Sequence, residues 1–468
     1  MKKIIILLLL IPIYLYSQDN SLIGCWVGKI DILRQELAIK ICFELDSTKN
    51  LTGKIDIPSQ NAFNLNLTNI VQKKDSISFD LAINLMNIAK FDGKIFSPNT
   101  DKASISGSFR QMGMVGRFEL DKYFVEPEEE VAFPAHEEEV EIQNNGIKLA
   151  GTFLRPIEHK KYPAIIFITG SGLQNRDEEI YGFKIFKKIA EALVKIGFAT
   201  LRMDDRGIGG STTTLGKSST TFDFASDAEQ MIKYLKGRDD VDTNHIGILG
   251  HSEGAIVAFI VASKDKSVDF VVSIAGPTIR GDSLILEQIK IQMKKQNSPD
   301  SLVAEVLQDQ REIYDIIRKT HNYEKAKEIL RKQAKRQMEY FPEEFSSQVS
   351  TTLIERNIQM QIESLRSEWF TTFINLDPIS YLKQIQCPLL FVYAEKDQQV
   401  PPEINIKHLQ KHIKKKNFTI KTISSANHLF QKCKTGQIFE YAILPKKFAP
   451  NFLETIQEWL YKNVLTKK

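Results

Sequence analysis

A serine framed by glycines, an aspartate and a histidine carry the chemistry that this chain can be expected to do. Gly250-His251-Ser252-Glu253-Gly254 is its only Gly-x-Ser-x-Gly. A serine hydroxyl is a weak nucleophile at neutral pH. It needs a base to take its proton and a third group to orient that base. The glycines suit a sharp strand-to-helix turn, where side chains two residues either side of the serine would clash. Held there, Ser252 Oγ would stand clear of a sheet and open to attack on a carbonyl. Chance alone supplies roughly 0.1–0.2 such patterns in a chain of this length, so the surroundings must carry the assignment.

The base should be histidine. His428 lies in Ser424-Ser425-Ala426-Asn427-His428-Leu429-Phe430, just after the strand-like run 418–423. That puts it on a loop at a strand's C-terminal end, where sites form in α/β sheets. Asp397 follows the strand-like run 389–393 and is the expected acid, with Glu395 as the fallback. Nucleophile, acid and base then run in the order Ser252, Asp397, His428, which is the α/β-hydrolase order. A tetrahedral intermediate also needs donors for its oxyanion. The backbone N–H of Glu253 is one. The other should come from Thr169-Gly170-Ser171-Gly172, with the Ser171 amide the first choice and Gly172 the second. This glycine loop lacks the Gly-Lys-Ser/Thr ending of a phosphate-binding loop. In Asp204-Asp205-Arg206, the Asp205–Arg206 pair is expected to brace its loop, the alternative being that Arg206 binds a substrate carboxylate. His408 and His412 share a helix face as zinc ligands would, but the zincin glutamate is missing, so no metal is expected.

The elements needed to position these residues are legible around them. The run 245–249 reads as a buried parallel strand, and 255–262 is apolar all round, as a buried helix is. Further strands are expected at 164–168, 198–203, 270–274 and 388–393, alternating with helices at 181–196 and 223–236. Alternation of this kind means a mostly parallel α/β sheet flanked by helices. It stops near 280 and resumes near 376. The charged, Gln-rich stretch 281–375 between them reads as a helical cap, with Ser298 capping a helix whose first residue is Pro299.

The N-terminal part has a different period. Apolar residues alternate through 37–45 and 77–85, and short β-like runs follow at 91–96, 103–109 and 115–121. This predicts an antiparallel all-β domain over 18–123, a small barrel or sandwich. An acidic, Pro-containing linker is expected at 124–137, and Asn144-Asn145-Gly146 marks a hairpin opening the α/β core of 138–280 and 376–468. Cys25 and Cys42 are symmetric about Leu33–Arg34, so a hairpin centred there would set them opposite each other, bridged or as two free thiols.

Lys2 and Lys3 precede an apolar run from Ile4 to Tyr16, which reads as a signal peptide over 1–17 cleaved near Ser17–Gln18. Export to a periplasmic or secreted location is expected. Leu22-Ile23-Gly24-Cys25 looks like a lipoprotein box, but polar residues separate it from the apolar run, so anchoring at Cys25 is not expected. No other stretch is long and apolar enough to span a membrane. A net charge of only +4, with Lys and Arg spread along 468 residues, argues against nucleic acid as main partner.

From about 138 to 465 the chain resembles the α/β-hydrolase superfamily and, within it, bacterial esterases of the EstD type, a serine aminopeptidase-like (S33-type) group. The resemblance rests on Leu149-Ala150-Gly151-Thr152, Thr169-Gly170-Ser171-Gly172 with Asn175-Arg176-Asp177, Asp205-Arg206-Gly207, Gly250-His251-Ser252-Glu253-Gly254, Lys396-Asp397 and Asn427-His428. It implies carboxylic ester hydrolysis through an acyl-enzyme, with Ser252, Asp397 and His428 as triad, a small-molecule ester as substrate and no cofactor. Thr169 departs from the pattern, since many relatives have His there. The β-domain is similar to N-terminal modules fused to such esterases. Two other readings stand beside this one: an exopeptidase of the same fold, and a binding protein whose hydrolase domain is vestigial.

Overall fold

The computed structural model describes residues 20–466 except 33–34, 58–61, 85–86, 99, 101, 112–113, 124–133, 215–218, 341–350, 415–416 and 439. The expected signal peptide, the Leu33–Arg34 turn and most of the acidic linker lie outside the described residues. The chain divides into two compact units, Met1–Val125 and Glu126–Lys468.

In the first unit, antiparallel strands follow one another around a closed barrel: β1 (Gly24–Ile32), β2 (Gln35–Leu45), β3 (Leu51–Ile57), β4 (Ala62–Lys73), β5 (Ser76–Asn84), β6 (Asn87–Phe96), β7 (Ser104–Gln111) and β8 (Met114–Tyr123). Pairing of β8 back onto β1 closes it, so no strand is left as an edge. Period-two alternation turns Ile39, Ile41 and Phe43 of β2 and Ile77, Phe79 and Leu81 of β5 inward. There Phe79 stacks on Phe91 at 4.7 Å, and Phe118 meets both rings edge-on. β4 alternates only over residues 63–68, because its pairing slips between Thr68 and Val71, where Asn69 takes a positive φ. Cys25 faces Cys42 across β1 and β2, and the two form a disulfide.

The second unit is built on an eight-stranded sheet. Its strands are β9 (Ala135–Asn144), β10 (Ile147–Pro156), β11 (Tyr162–Ile168), β14 (Ala199–Met203), β15 (Val241–His251), β16 (Val268–Ile274), β17 (Leu389–Ala394) and β18 (Phe418–Ile423). β12 (Glu179–Ile180) and β13 (Phe183–Lys184) form a separate small hairpin. The sheet order β18-β17-β16-β15-β11-β14-β10-β9, with only β10 running against the rest, is that of an α/β-hydrolase. β9 begins at Ala135, within the span expected as linker.

Successive residues of the central strands feed opposite faces of the sheet. Ile166 and Ile168 pack with α2 (Thr221–Lys236) and α3 (Glu253–Lys264). Ile165 and Phe167 pack with α1 (Ile185–Lys195) and the helix Phe452–Leu460. Between β16 and β17 the chain inserts α4 (Gly281–Lys295), α5 (Asp300–Thr320), α6 (Tyr323–Glu339) and the helices Thr351–Arg366 and Glu368–Phe373. The insertion has its own core, which includes Ile313, Ile317, Ile362 and Phe370. Its α5 begins one residue later than expected. Pro299 is the capping residue and no side chain caps this end, so Ser298 does not act as the cap. Among the described residues no helix is long and apolar enough to cross a membrane.

The disulfide closes a 17-residue separation, and loops of that size lose about 3 kcal/mol of unfolded-state entropy when bridged. Calorimetry of the full chain should therefore show the Cys25→Ser/Cys42→Ser variant with a barrel transition destabilised by about 2–3 kcal/mol and an unmoved transition for the second unit.

Candidate active site

β15 ends at His251 and α3 begins at Glu253, which leaves Ser252 as the hinge residue, at φ 53° and ψ −119°. A non-glycine residue takes a positive φ only where its surroundings impose it. Here close packing does so. A Cβ at Gly250 would stand 2.2 Å from the Gly254 carbonyl oxygen, and one at Gly254 would stand 2.1 Å from that of Ile168. Both glycines of the motif are thus steric requirements of strand, turn and helix meeting. The Ser252 N–H donates to the Ile274 carbonyl at 3.0 Å, tying the turn to β16.

The structure brings Asp397 and His428 together from the loops after β17 and β18. His428 Nδ1 lies 2.7 Å from Asp397 Oδ2, and both residues are buried. Asp397 Oδ1 accepts from the backbone N–H groups of Gln399 and Val400 at 2.8 and 2.9 Å, which fixes the carboxylate plane. With Nδ1–H donating to Asp397, the lone pair of His428 is on Nε2. Glu395, the fallback acid, instead accepts the Ser425 N–H at 2.6 Å and steadies the loop ahead of His428. Asn427 Oδ1 accepts from the backbone N–H groups of Leu429 and Gln431, forming the turn that carries His428.

A second imidazole–carboxylate pair, which the sequence did not single out, ties His428 to the elbow. His251 Nε2 donates to the His428 carbonyl at 3.1 Å, and the two rings lie 4.7 Å apart. On its other side, His251 Nδ1 is 2.8 Å from Glu178 Oε1, which also accepts the Gly170 N–H at 2.7 Å. Burial pushes the His251 pKa down, but the charge and hydrogen bond of Glu178 and the His428 carbonyl outweigh it, and the pKa is raised.

The loop after β11 lies directly against the elbow: a Cβ at Gly170 would be 3.2 Å from Ser252 Cβ. Asp205 holds this loop. Its carboxyl accepts from Thr169 Oγ1 at 2.8 Å and from the Gln174 N–H at 2.8 Å. Among the described residues the backbone N–H groups of Ser171, Gly172 and Glu253 have no protein acceptor. Burial pushes the Asp205 carboxyl up to about 8, against the hydrogen bonds that favour its anion. Arg206 does not join Asp205 in bracing the loop. Its guanidinium forms a bidentate pair with Asp227 at 2.7 and 2.9 Å and also reaches Asp223, both on α2. It is therefore not free for a substrate carboxylate either. His408 Nδ1 is bonded to the Thr278 carbonyl, and among the described residues no group of three or more His, Cys, Asp or Glu could hold a metal.

The model of the family described as serine aminopeptidase, S33 (Hydrolase_4) matches residues 182–432, more than half of the chain. The matched span includes Ser252, Asp397 and His428 and begins after the Ser171 loop. Esterase EstD of Thermotoga maritima is 27% identical over 332 residues, covering 70% of this chain and 66% of that protein. An Escherichia coli protein, described as an uncharacterized 31.7 kDa protein in the traX-finO intergenic region, is 29% identical over 126 residues, 27% of this chain and 41% of that one. The chain thus spans less than two thirds of the length of either relative. Among solved structures, the α/β hydrolase GrgF from Penicillium sp. sh18 aligns with a TM-score of 0.43 at 16% identity, over 71% of this chain and all of that one. The Pyrococcus furiosus esterase Pf2001 aligns with a TM-score of 0.43 at 18% identity, over 70% and 91%.

Asp205 gives the site loop a pH signature. A carboxyl whose pKa rises on folding binds its proton more tightly in the native state, so its contribution to stability falls as pH climbs from the unfolded value near 4 to about 8. In thermal melts across that range, Asp205→Asn should gain stability relative to the unsubstituted protein as pH rises. A constant difference would exclude Asp205 as the source.

Proposed function

The chain belongs to the serine aminopeptidase S33 family, and we propose that it works as a serine carboxylesterase with Ser252 as nucleophile. The observation that carries this reading is the buried 2.7 Å His428–Asp397 bond, tied through His251 to an elbow whose Ser252 is held at positive φ. In the proposed reaction His428 Nε2 takes the Ser252 Oγ proton as the oxygen adds to the ester carbonyl. The oxyanion rests on the amides of Glu253 and Ser171, with Gly172 as the second candidate. Each such donor contributes about 3 kcal/mol in the transition state. His428 then protonates the departing alkoxide, and the alcohol leaves an acyl-Ser252. Water, deprotonated by the same His428, attacks the acyl carbon; the proton returns to Ser252 Oγ and the carboxylic acid is released. No cofactor enters any step.

The name of the Thermotoga maritima relative, an esterase, supports an ester as substrate. The family's description favours a second reading, an exopeptidase cutting a peptide bond next to a free amino terminus. Comparing short acyl esters with aminoacyl anilides separates them. For location we propose export to the periplasm or beyond. The N-terminal apolar run and the Cys25–Cys42 disulfide, a bond suited to oxidising compartments, support this.

Ser252→Ala should lower p-nitrophenyl acetate turnover by about 10⁴-fold or more while the melting temperature stays within a few degrees. Asp397→Asn should lower kcat by about 10³–10⁴-fold, the histidine then losing its tautomer. Turnover retained by Ser252→Ala would refute the nucleophile.

A further inference from the structure

Glu253 offers an oxyanion amide through its backbone, but its side chain has a separate set of partners. The carboxylate is buried, and both its oxygens are taken by neutral donors from three distant segments. Ser171 Oγ donates to Oε2 at 2.7 Å, and Thr221 Oγ1, at the start of α2, donates to Oε1 at 2.5 Å. The indole N–H of Trp369, in the inserted helix Glu368–Phe373, reaches both oxygens at 3.1 and 3.0 Å. Trp369 is itself stacked on Phe373 at 5.3 Å.

Two consequences follow from this arrangement. The Ser171–Glu253 bond links the side chains of the two residues whose amides would hold the oxyanion, so it sets the spacing of those amides. A buried carboxylate held only by neutral donors depends on all of them, because each donor lost leaves at least one buried oxygen with one partner fewer. We propose that Glu253 is a positioning residue that couples the docking of the inserted helix, through Trp369, to the geometry of the oxyanion hole. The inference rests on Ser252 acting as the nucleophile. Its functional consequence is that the hole is fully formed only while Trp369 is docked.

Trp369→Phe keeps an aromatic ring on Phe373 and removes the N–H, and Ser171→Ala keeps the amide and removes Oγ. Each should lower kcat on p-nitrophenyl acetate about tenfold with KM within about twofold, and slow fluorophosphonate labelling of Ser252 by a similar factor. The double variant should lose less than the product of the two, since both act through one carboxylate. Thr221→Val removes the third donor at equal size, should behave as Trp369→Phe does, and serves in its place if that variant does not fold. Unchanged kcat in the single variants, or effects that multiply, would overturn the coupling while normal labelling of the unsubstituted protein upheld the nucleophile. An unsubstituted protein that neither labels nor turns over esters would overturn both.

Discussion

The geometry of the second unit turns on the contact between the Gly254 backbone and the Ile168 carbonyl. It leaves no room for a Cβ and so sets how α3 leaves the sheet. A positive φ at a serine costs on the order of 1–3 kcal/mol. The cost is offset by α3 itself, buried along its length from Glu253 to Ser263 between sheet and neighbouring helices. Ile168 is also the last residue of β11, from which the Ser171 loop departs. Elbow and loop are therefore held at one point, and neither can shift without the other.

Around that point, several buried or half-buried ionisable side chains occur in pairs. Asp397 pairs with His428, Glu178 with His251, and Arg206 with Asp227. Low local dielectric makes each lone partner expensive and each pair rigid. The His251 imidazole donates to the His428 backbone carbonyl, so the loop after β18 is anchored to the strand that ends in the elbow. Glu178 extends the same network to the Gly170 amide, one residue before Ser171.

What the sequence showed, and what it hid, follows from the range of each interaction. Buried parallel strands and the helix after Ser252 are local patterns, and they were legible as runs of apolar residues. Asp397 and His428 were singled out because each follows a strand-like run, β17 being buried throughout and β18 only at Ile423. The Glu178–His251 contact spans 73 residues and joins a loop to a strand end, so no spacing encodes it. Asp205 and Arg206 are neighbours in sequence, but Asp205 bonds the Thr169 loop while α2 supplies the partners of Arg206. Strands β3 and β4 passed unread: a bulge in β4 breaks the period that marks its neighbours, and β3 is short, with Gly53 where a Cβ would stand 2.9 Å from the Phe43 ring.

The placement of the inserted helices between β16 and β17 also fixes the order in which the site can come into being. A ribosome delivers Ser252 first, then the whole insertion, and only afterwards the strands whose loops bear Asp397 and His428. Until β17 and β18 have emerged and joined the sheet, the Asp397–His428 pair cannot form. A nascent chain therefore carries the segment of the elbow before it carries the two loops that pair Asp397 with His428.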